Sequence, residues 1–469
     1  MEAARYPAYR DSGLPWAPCV PEGWQTLRNG RLFTHRVQSG FPDLPILEVS
    51  LRTGVRIRDM ENLKRKQVMR EKEKYKRAAK GDIAYNMMRM WQGALGTAPV
   101  DGLVSPAYVV ACPFLEANSE YYSYLFRTAA YMREVNKFSR GIVADRNRLY
   151  WDEFKQMPAL LPPRHEQDQI VAYLRAQDAH IARFIKVKRE LIALLNERRQ
   201  GINHRLLTGG AETNFKHGQP GVDWLVGVPA TWEIVNLRQI SLSLQTGPFG
   251  SQLHAEDYVD NGRPVINPSN LTQGAIVPDT TCSVDEKTAR RLSRHWLQPG
   301  DVIFARRGEL GRCALVTDKE AGWLCGTGSL RMRMKPGAVD PSFLMLILAS
   351  PALRGHLRLQ SVGATMENAN TSIIGSIRIP LPPRVVQLSI AKQLYDAAQP
   401  IDEAIARAGK EIKLIREYRD RLIADVVTGQ VDVRSWVPGP DDEMIEDVPT
   451  ALADDDEPNT DGELADGDD

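Results

Sequence analysis

Apolar residues recur at seven-residue intervals in two segments of the chain, and polar residues fill most of the positions between them. These apolar positions are Leu174, Ile181, Leu195 and Ile202 in the first segment, and Leu394, Ile401, Ala408, Ile415 and Leu422 in the second. Lys188 takes the middle place in the first series. A seven-residue repeat over four heptads is typical of a coiled coil. The pattern therefore predicts two long helices that pack along an apolar seam.

Both helical segments carry signals for a beginning and an end. Each follows the tetrapeptide Leu-Pro-Pro-Arg and closes at a Thr-Gly pair, within residues 161–209 and 381–429. Proline is favoured at a helix start and glycine just after its end. Pro400 falls inside the second segment, so we expect a break there. The longer piece, from Pro400 to Val427, would then be about 42 Å long at 1.5 Å per residue.

The two helical segments are copies of each other. Residues 161–209 align with residues 381–429 at an offset of 220 without a gap. An opening segment also occurs twice, at an offset of 208: Gly13, Trp16, Pro21 and Trp24 correspond to Gly221, Trp224, Pro229 and Trp232. A gapless repeat of this length indicates one structural unit used twice. We expect the four tryptophans to pack in the cores of the two halves.

Between opening segment and helix, each half has a block that differs from its counterpart, at about 30–160 and 240–380. Both blocks contain a Gly-Asp turn, at 81–82 and 300–301, that an apolar run follows. Short apolar runs with Gly and Pro between them predict strands at Ala107–Ala111, Val302–Ala305 and Arg331–Met334. The two blocks are therefore predicted to be mixed α/β domains with irregular sheets.

The charge of the chain is distributed unevenly. The net charge is +1, but residues 441–469 contain 14 acidic residues and no Lys or Arg, which leaves about +15 on the rest. A basic body favours nucleic acid as a partner, although solvated basic faces are common. The composition of residues 431–469 predicts disorder. This tail either keeps the protein soluble or competes with DNA for the basic surface.

Basic and amide side chains gather in both variable blocks. Residues 56–80 contain eleven Lys or Arg and four Asp or Glu. Arg suits guanine edges, Asn suits adenine edges, and Lys and the remaining Arg suit phosphates. The candidate DNA-binding residues are Arg56, Arg58, Lys64, Arg70, Asn86, Arg89, Phe249, Ser251, Asn267, Asn270, Arg306, Arg307, Arg312, Asn368 and Asn370. Any one of them taken alone is more often a solvated surface residue.

Sequence patterns for catalysis or metal binding are missing. The chain has no GxxxxGK[ST] loop, no HExxH, no CxxC and no Asn/Asp-Pro-Pro-aromatic motif. Gly326–Leu330 (GTGSL) has glycines but lacks the full fingerprint of a nucleotide loop. Pro278–Lys287 (PDTTCSVDEK) resembles a nuclease pattern, but its five-residue interval is short for two metal-binding carboxylates on adjacent strands, so a chance match is the favoured interpretation. We therefore predict no catalytic residue, no metal ligand and no bound cofactor. Five scattered cysteines fit a reducing cytoplasm, and no apolar run reaches membrane-spanning length.

Two variable blocks that alternate with two matched helices resemble the DNA-specificity subunit of Type I restriction-modification systems. The resemblance runs from Trp16 to about Val433. Its most specific part is LLPPRHEQDQIVAYL…LLNERRQGINHRLLTGG together with its second copy. QTGPFGSQLHAEDYV…GRPVINPSNL…PGDVIFARRGELGRCALV resembles one kind of target-recognition domain, and YNMMRMWQGALG…VDGLVSPAYVV resembles another. The tail after Pro440 departs from the family pattern.

The resemblance implies an α+β fold with two mixed α/β target-recognition domains, two long antiparallel coiled-coil helices and a pseudo-two-fold internal repeat. The expected segments are a first recognition domain at 1–160, a first spacer helix at 161–209, a second recognition domain at 210–380, a second spacer helix at 381–430 and an acidic disordered tail at 431–469. The helix seam is expected at Leu174, Ile181, Leu195, Ile202, Leu394, Ile401, Ile415 and Leu422.

The resemblance also implies a non-catalytic reader of double-stranded DNA in the cytoplasm of a prokaryote. Each recognition domain would read one half of a bipartite, asymmetric site. The helices would set the spacer and dock two methyltransferase subunits for adenine methylation, and two translocase-nuclease subunits would restrict unmodified DNA. S-adenosylmethionine, ATP and magnesium are expected on those partners and not on this chain.

Two other functions stay open at this stage. A coiled-coil scaffold with an incidental basic surface would prefer no DNA sequence. A nuclease or fused methyltransferase with an unrecognised site would turn over substrate by itself.

Overall fold

The computed structural model describes residues 5–440 apart from 52, 59–71, 142–146, 209–221, 223, 226, 230, 273, 308–310 and 362–369, and beyond them residues 442 and 452. The chain divides into two compact units. Unit 1 consists of Met1–Leu191 with Arg407–Asp469, and unit 2 consists of Ile192–Ala406. Among the described residues, no helix has an apolar stretch long enough to cross a membrane.

Unit 1 begins with a series of short strands, which three short helices and the first part of a long helix accompany. Its strands are β1 (Tyr9–Asp11), β2 (Cys19–Pro21), β3 (Gln25–Arg28), β4 (Phe33–His35), β5 (Leu47–Ser50), β6 (Gly54–Ile57), β7 (Lys76–Ala78), β8 (Ile83–Asn86), β9 (Leu95–Thr97), β10 (Gly102–Val104), β11 (Tyr108–Pro113) and β12 (Pro158–Leu161). Its helices are α1 (Ser119–Phe126), α2 (Ala129–Phe138), α3 (Trp151–Phe154) and the first part of α4 (Arg164–Leu207).

Unit 2 has a similar order of elements, with five strands of only two residues. Its strands are β13 (Glu233–Asn236), β14 (Ser241–Thr246), β15 (Tyr258–Val259), β16 (Arg263–Ile266), β17 (Leu271–Thr272), β18 (Ala275–Ile276), β19 (Ser283–Val284), β20 (Val302–Ala305), β21 (Cys313–Leu315), β22 (Leu324–Cys325), β23 (Ser329–Met334) and β24 (Arg378–Leu381). Its helices are α5 (Leu237–Ile240), α6 (Glu286–Arg291), α7 (Pro341–Leu348), α8 (Pro351–Ser361), α9 (Thr371–Ser376) and the first part of α10 (Arg384–Val427). The last part of α4 also belongs to unit 2, and the last part of α10 belongs to unit 1.

Each unit is built on a four-stranded antiparallel sheet. The order is β4-β11-β8-β9 in unit 1 and β14-β23-β20-β21 in unit 2. The strands predicted from the apolar runs are present, with ends that differ by at most two residues. Unit 2 also has a second four-stranded sheet, β15-β19-β16-β22, in which β16 and β22 are parallel. The prediction of mixed α/β domains with irregular sheets is confirmed.

The Gly-Asp turn has the same geometry in both units. Gly81 and Gly300 have φ angles of +90° and +88°, which favour glycine. The following Asp is buried, and its carboxylate accepts a backbone N–H three residues earlier, 2.8 Å away for Asp82 and 2.9 Å for Asp301. The cation differs: Arg36 pairs with Asp82, and Arg333 pairs with Asp301. Each arginine donates hydrogen bonds to its carboxylate, and these bonds raise the pKa of the arginine.

The frame around each sheet follows the two sequence offsets. Strand β3 pairs with β12 in unit 1, and β13 pairs with β24 in unit 2. The amide of Gln167 accepts the N–H of Asn118 at the start of α1, and Gln387 accepts that of Asp340 at the start of α7, both at 2.8 Å. Each glutamine also donates to a proline carbonyl of its Leu-Pro-Pro-Arg segment at 2.8 Å. Corresponding residues therefore make corresponding contacts.

Two of the four tryptophans of the opening segments are buried in the cores, as predicted, and the other two pack against the cores. Trp24 is 1% exposed and Trp224 is 8% exposed, while Trp16 and Trp232 pack against the cores from partly buried positions. The unit 1 core also includes residues from both long helices, among them Leu174 of α4 and Val427 of α10.

The two long helices run antiparallel in unit 1, where two ion pairs define their relative direction. In unit 1, Asp178 of α4 pairs with Arg419 of α10, and Lys188 pairs with Glu411, both at 2.6 Å. Residue numbers therefore rise along α4 as they fall along α10. In unit 2, Arg199 pairs with Asp402 at 2.8 Å. Of the predicted seam residues, Leu174, Ile181 and Ile401 are buried, and Leu195, Ile202, Leu394, Ile415 and Leu422 are partly buried.

The predicted helix break at Pro400 is wrong. Helix α10 is continuous from Arg384 to Val427 with the proline inside it. Proline removes one backbone hydrogen bond, but its ring lies on the exposed side of the helix. Ile390 and Ile401 are buried on either side. Packing on both sides therefore outweighs the local cost of the proline.

The predicted start of disorder at residue 431 also needs correction. Val433 is buried, and the Trp436 ring meets the edge of Tyr173 of α4 at 5.5 Å. The guanidinium of Arg434 lies over the ring of Tyr6 at 4.6 Å. Apolar and cationic side chains of this short segment contact other residues of unit 1. Residues 431–440 therefore belong to the folded unit. Most of the acidic tail, 443–469, lies outside the described residues.

Candidate nucleic-acid interface

Three loops of unit 2 meet at one end of its first sheet because glycines let their backbones touch. A Cβ on Gly247 would lie 1.9 Å from the carbonyl oxygen of Gly326, and one on Gly326 would lie 2.3 Å from the side chain of Asn267. The N–H of Arg306 donates to the carbonyl of Gly328 at 2.9 Å. The segments that follow β14, β16 and β20 are thus held beside the turn between β22 and β23. We call residues 247–250, 267, 306–307 and 326–328 the loop cluster.

The loop cluster carries the side chains that suit nucleic acid. Phe249 is 62% exposed at the tip of the loop after β14. Arg307 is exposed and Arg306 is partly buried directly after β20. Burial, and then the neighbouring charge of Arg307, lower the pKa of Arg306. Two adjacent guanidinium groups disfavour each other, so an anion at this place would stabilise both.

Tyr258 lies beside Thr327 of the loop cluster, and the sequence analysis singled out neither residue. Burial raises the pKa of Tyr258. Hydrogen bonds of its hydroxyl with the side chains of Asn267 and Thr327 oppose this shift in part. Thr327 is exposed between two glycines. It lies in the GTGSL segment, which has a packing role here. The sequence signal that could have identified Thr327 is a polar residue between two glycines.

Four further predicted residues of unit 2 have different settings. Asn270 is 5% exposed; its amide accepts the N–H of Asn267 and donates to Val277, both at 2.9 Å. It therefore stabilises its own loop, and its contact with DNA stays a prediction. Asn370 is exposed and caps α9, Arg312 is partly buried, and Ser251 lies in a short 3-10 turn. Asn368 lies outside the described residues.

In unit 1, Asn86 and Arg89 share one turn at the end of β8. The side chain of Asn86 accepts the N–H of Met88 at 2.9 Å, and the N–H of Arg89 donates to the carbonyl of Asn86. The indole of Trp91 donates to the carbonyl of Met88 at 3.0 Å. This turn follows the Gly-Asp strand of unit 1, as Arg306 and Arg307 follow that of unit 2. Both side chains are partly buried.

The basic run of unit 1 is engaged with protein groups at both of its described ends. Arg56 pairs with Glu48 across β5 and β6, and Arg58 is partly buried just after β6. At the other end, Lys76 donates to a backbone carbonyl at 2.7 Å, and burial lowers its pKa. Arg77 pairs with Asp101 at 2.6 Å. Lys64 and Arg70 lie outside the described residues.

The carboxylates of the nuclease-like segment have structural contacts. Asp279 accepts two hydrogen bonds from Thr281, and Asp285 caps α6 through the N–H of Thr288 at 2.7 Å. Glu286 pairs with Arg263 at 2.8 Å. These partners lower the pKa of all three carboxyl groups. Within the described part of the chain, no group of three or more His, Cys, Asp or Glu is placed to hold a metal ion.

The family model and the curated relatives that match this chain are described as type I specificity domains or subunits. A family model described as Type I restriction modification DNA specificity domain matches residues 229–413. The chain is similar to the Type I restriction enzyme MjaVIII specificity subunit of Methanocaldococcus jannaschii, with 24% identity over 60% of this chain and 64% of the relative. It is also similar to the putative type I restriction enzyme MjaX specificity subunit of the same organism, with 23% identity over 65% of this chain and 66% of the relative.

Both alignments span slightly less than two thirds of the relatives' own length. Among solved structures, the fold resembles a chain from a study of complex assembly and conformational transition of the type I R-M system. That match has a TM-score of 0.55 and 16% identity, and it covers 87% of this chain and 98% of the other.

Proposed function

Because this chain belongs to the family of DNA specificity subunits of type I restriction-modification systems, we propose that each of its two units reads one half of a bipartite, asymmetric DNA site. The observation that carries the proposal is the loop cluster of unit 2. It brings an exposed aromatic ring, two adjacent arginines and an amide to the end of one sheet. That cluster lies inside the segment that the family model matches.

Within unit 2, the side chains divide between two tasks. Arg307 and Asn267 suit the edges of guanine and adenine, and Arg306 suits a phosphate beside them. In unit 1, the turn with Asn86 and Arg89 occupies the corresponding place at the end of β8. The basic run 56–80 adds the charge that attracts the DNA backbone.

The long helices would set the distance between the two half-sites. Their antiparallel ion pairs and partly buried seven-residue seam support a coiled coil. The corresponding contacts of Gln167 and Gln387 support a pseudo-two-fold repeat. We propose that the helices also dock two methyltransferase subunits, which methylate adenine.

This chain would have no catalytic role of its own. The methyltransferase subunits would use S-adenosylmethionine, and two translocase-nuclease subunits would use ATP and magnesium to restrict unmodified DNA. The complex would work in the cytoplasm of a prokaryote.

The test is methylation of random-sequence DNA by the purified chain with and without its cognate methyltransferase subunit, read base by base. We expect methylation at one bipartite motif, and only when both proteins are present. Methylation by the chain alone would make it an enzyme. Methylation without a motif would leave only a scaffold with an incidental basic surface.

The role of the helices has a separate test. Inserting four residues between Ala193 and Asn196 adds about one helical turn, or 6 Å. We expect the spacer to lengthen by one or two base pairs while both half-site sequences stay the same. An added turn also disturbs a seven-residue seam locally, so the mutant's helix content is measured beside its methylation motif. An active mutant with the original spacer would show that the helices do not set the distance.

A further inference from the structure

The folded C-terminal segment follows one face of α4. The side chain of Gln169 donates to the carbonyls of Val433 and Trp436, at 3.3 and 2.5 Å. Further along, the ring of Tyr173 meets Trp436, and His180 contacts the carboxylate of Asp442 at 2.6 Å. The segment therefore advances along α4 toward the carboxyl end of that helix.

The positions that it touches form one stripe of the helix. Residues 169, 173 and 180 are separated by four and then seven positions, which places them on the same face. The next positions on that face are Phe184, Val187 and Leu191, three apolar residues of unit 1. They are 38%, 60% and 40% exposed. We call these three residues the exposed stripe.

The exposed stripe begins where the described chain reaches Asp442. His180 and Leu191 are eleven positions apart, or about 16 Å along a helix. An extended chain covers that distance in about five residues at 3.3 Å each. Residues 443–448 are therefore long enough to follow the whole exposed stripe.

The sequence after Asp442 complements the exposed stripe. It places Met444, Ile445, Val448 and Leu452 among acidic residues, and residues 443–469 contain twelve Asp or Glu. Leu452 is partly buried. Beside the exposed stripe, α4 carries Arg183 and Lys186. The N–H of Gly439, the imidazole of His180 and the charge of Arg183 lower the pKa of Asp442, so the tail starts in a cationic setting.

We propose that residues 443–452 of the acidic tail bind the exposed stripe of α4 as an intramolecular ligand. Their apolar side chains cover Phe184, Val187 and Leu191, and their carboxylates lie near the flanking cations. Any partner that uses this face of the helix has to displace the tail first. The tail thus acts on the helical part of unit 1 rather than on the loops that face DNA.

The test measures whether a copy of the tail can bind when the chain's own tail is impaired. The probe is a fluorescein-labelled peptide with the sequence of residues 441–456, followed by fluorescence anisotropy. The full chain carrying Ile445→Asp and Val448→Asp is expected to bind it at least tenfold more tightly than the unaltered full chain does. A chain that ends at Asp442 should bind it as tightly as this double mutant.

Matched controls separate specific binding from charge attraction. Adding Val187→Asp to the double mutant should lower the peptide's affinity at least tenfold. Adding Val37→Asp, which alters a valine of unit 1 that is 67% exposed, should leave the affinity unchanged. A scrambled peptide of equal charge should bind the double mutant no more tightly than the original peptide binds the chain that also carries Val187→Asp.

Equal peptide affinity for the altered and unaltered chains would overturn the proposal. The proposal would also be overturned if Val187→Asp left the peptide's affinity unchanged, or if the scrambled peptide bound as tightly as the original one. The assay contains neither DNA nor methyltransferase, so its result is independent of the function proposed above.

Discussion

Unit 1 and unit 2 hold the same turn with different arginines. Asp82 is neutralised by Arg36, which directly follows strand β4, whereas Asp301 is neutralised by Arg333 of the central strand β23. Both carboxylates are buried, and a buried charge needs a partner wherever that partner comes from. The backbone frame of the two units is thus the same, while the side chains that complete it differ.

The loops that the two frames carry differ even more. In unit 1, the strand after the Gly-Asp turn ends in a turn bonded to itself through Asn86. In unit 2, the corresponding strand ends in Arg306 and Arg307 beside the glycine-packed loop cluster. A fixed frame with interchangeable loops is the arrangement expected if each unit reads a different DNA sequence.

Exchange of one variable block should have the largest effect on the difference between the two units. Replacing residues 30–160 with the equivalent block of a related protein should change one half-site entirely and leave the other unchanged. The reason is that each block lies on its own frame. The measurement is the methylation motif of the hybrid with its methyltransferase. A change in both half-sites would contradict independent reading.

The glycine contacts of unit 2 offer the next largest effect. In Gly247→Ala, the new Cβ would lie 1.9 Å from a backbone oxygen, so the loop cluster has to move. We expect a loss of roughly 1–3 kcal/mol in stability, and at least tenfold weaker binding to the half-site of unit 2 alone. Gly355→Ala is the matched control, because nothing lies within 4 Å of its added Cβ. Equal DNA binding by the two variants would show that the loop cluster is not part of the DNA interface.

Acid should weaken unit 2 through His295, a buried histidine that is 4% exposed. Burial, and then Arg294 and Arg331, lower its pKa to about 4. The unfolded chain takes up the proton near pH 6.5 and the folded chain does not, so stability is lost as the pH falls from about 6.5 to 4. The full loss is about 3 kcal/mol at 1.4 kcal/mol per pH unit.

Urea unfolding at a series of pH values measures this loss. His295→Gln should remove most of the pH dependence, whereas His204→Gln, at an exposed position of unit 2, should keep it. The same slope in all three proteins would show that another group is responsible.

The most local effect, at a single base position, separates base contacts from phosphate contacts within the loop cluster. Arg307→Ala should cost roughly 1–3 kcal/mol at one position of the half-site of unit 2 if the side chain reads a base. Arg306→Ala should weaken all sequences alike, as the loss of a phosphate contact does. Binding to a library with every single-base change in the site measures both. If the two variants exchange these results, their assigned tasks are reversed.

Local sequence pattern accounts for the frame of each unit. The seven-residue spacing predicts α4 and α10, and the Gly-Asp turns with their apolar runs predict β8 and β20. Backbone periodicity and the conformational freedom of glycine act over a few residues, so they can be read directly from the chain. The offsets of 220 and 208 also predict which residues correspond in the two units.

Only the tertiary structure decided which residues are held inside and which lie at the surface. Helix α10 continues through Pro400 because buried residues on both sides stabilise it. Residues 431–440 fold because Trp436 reaches Tyr173, more than 260 positions earlier in the chain. Asn270 is buried, whereas Thr327 is exposed. Each outcome depends on contacts between residues far apart in sequence, whose free energies outweigh the local preferences that a sequence pattern records.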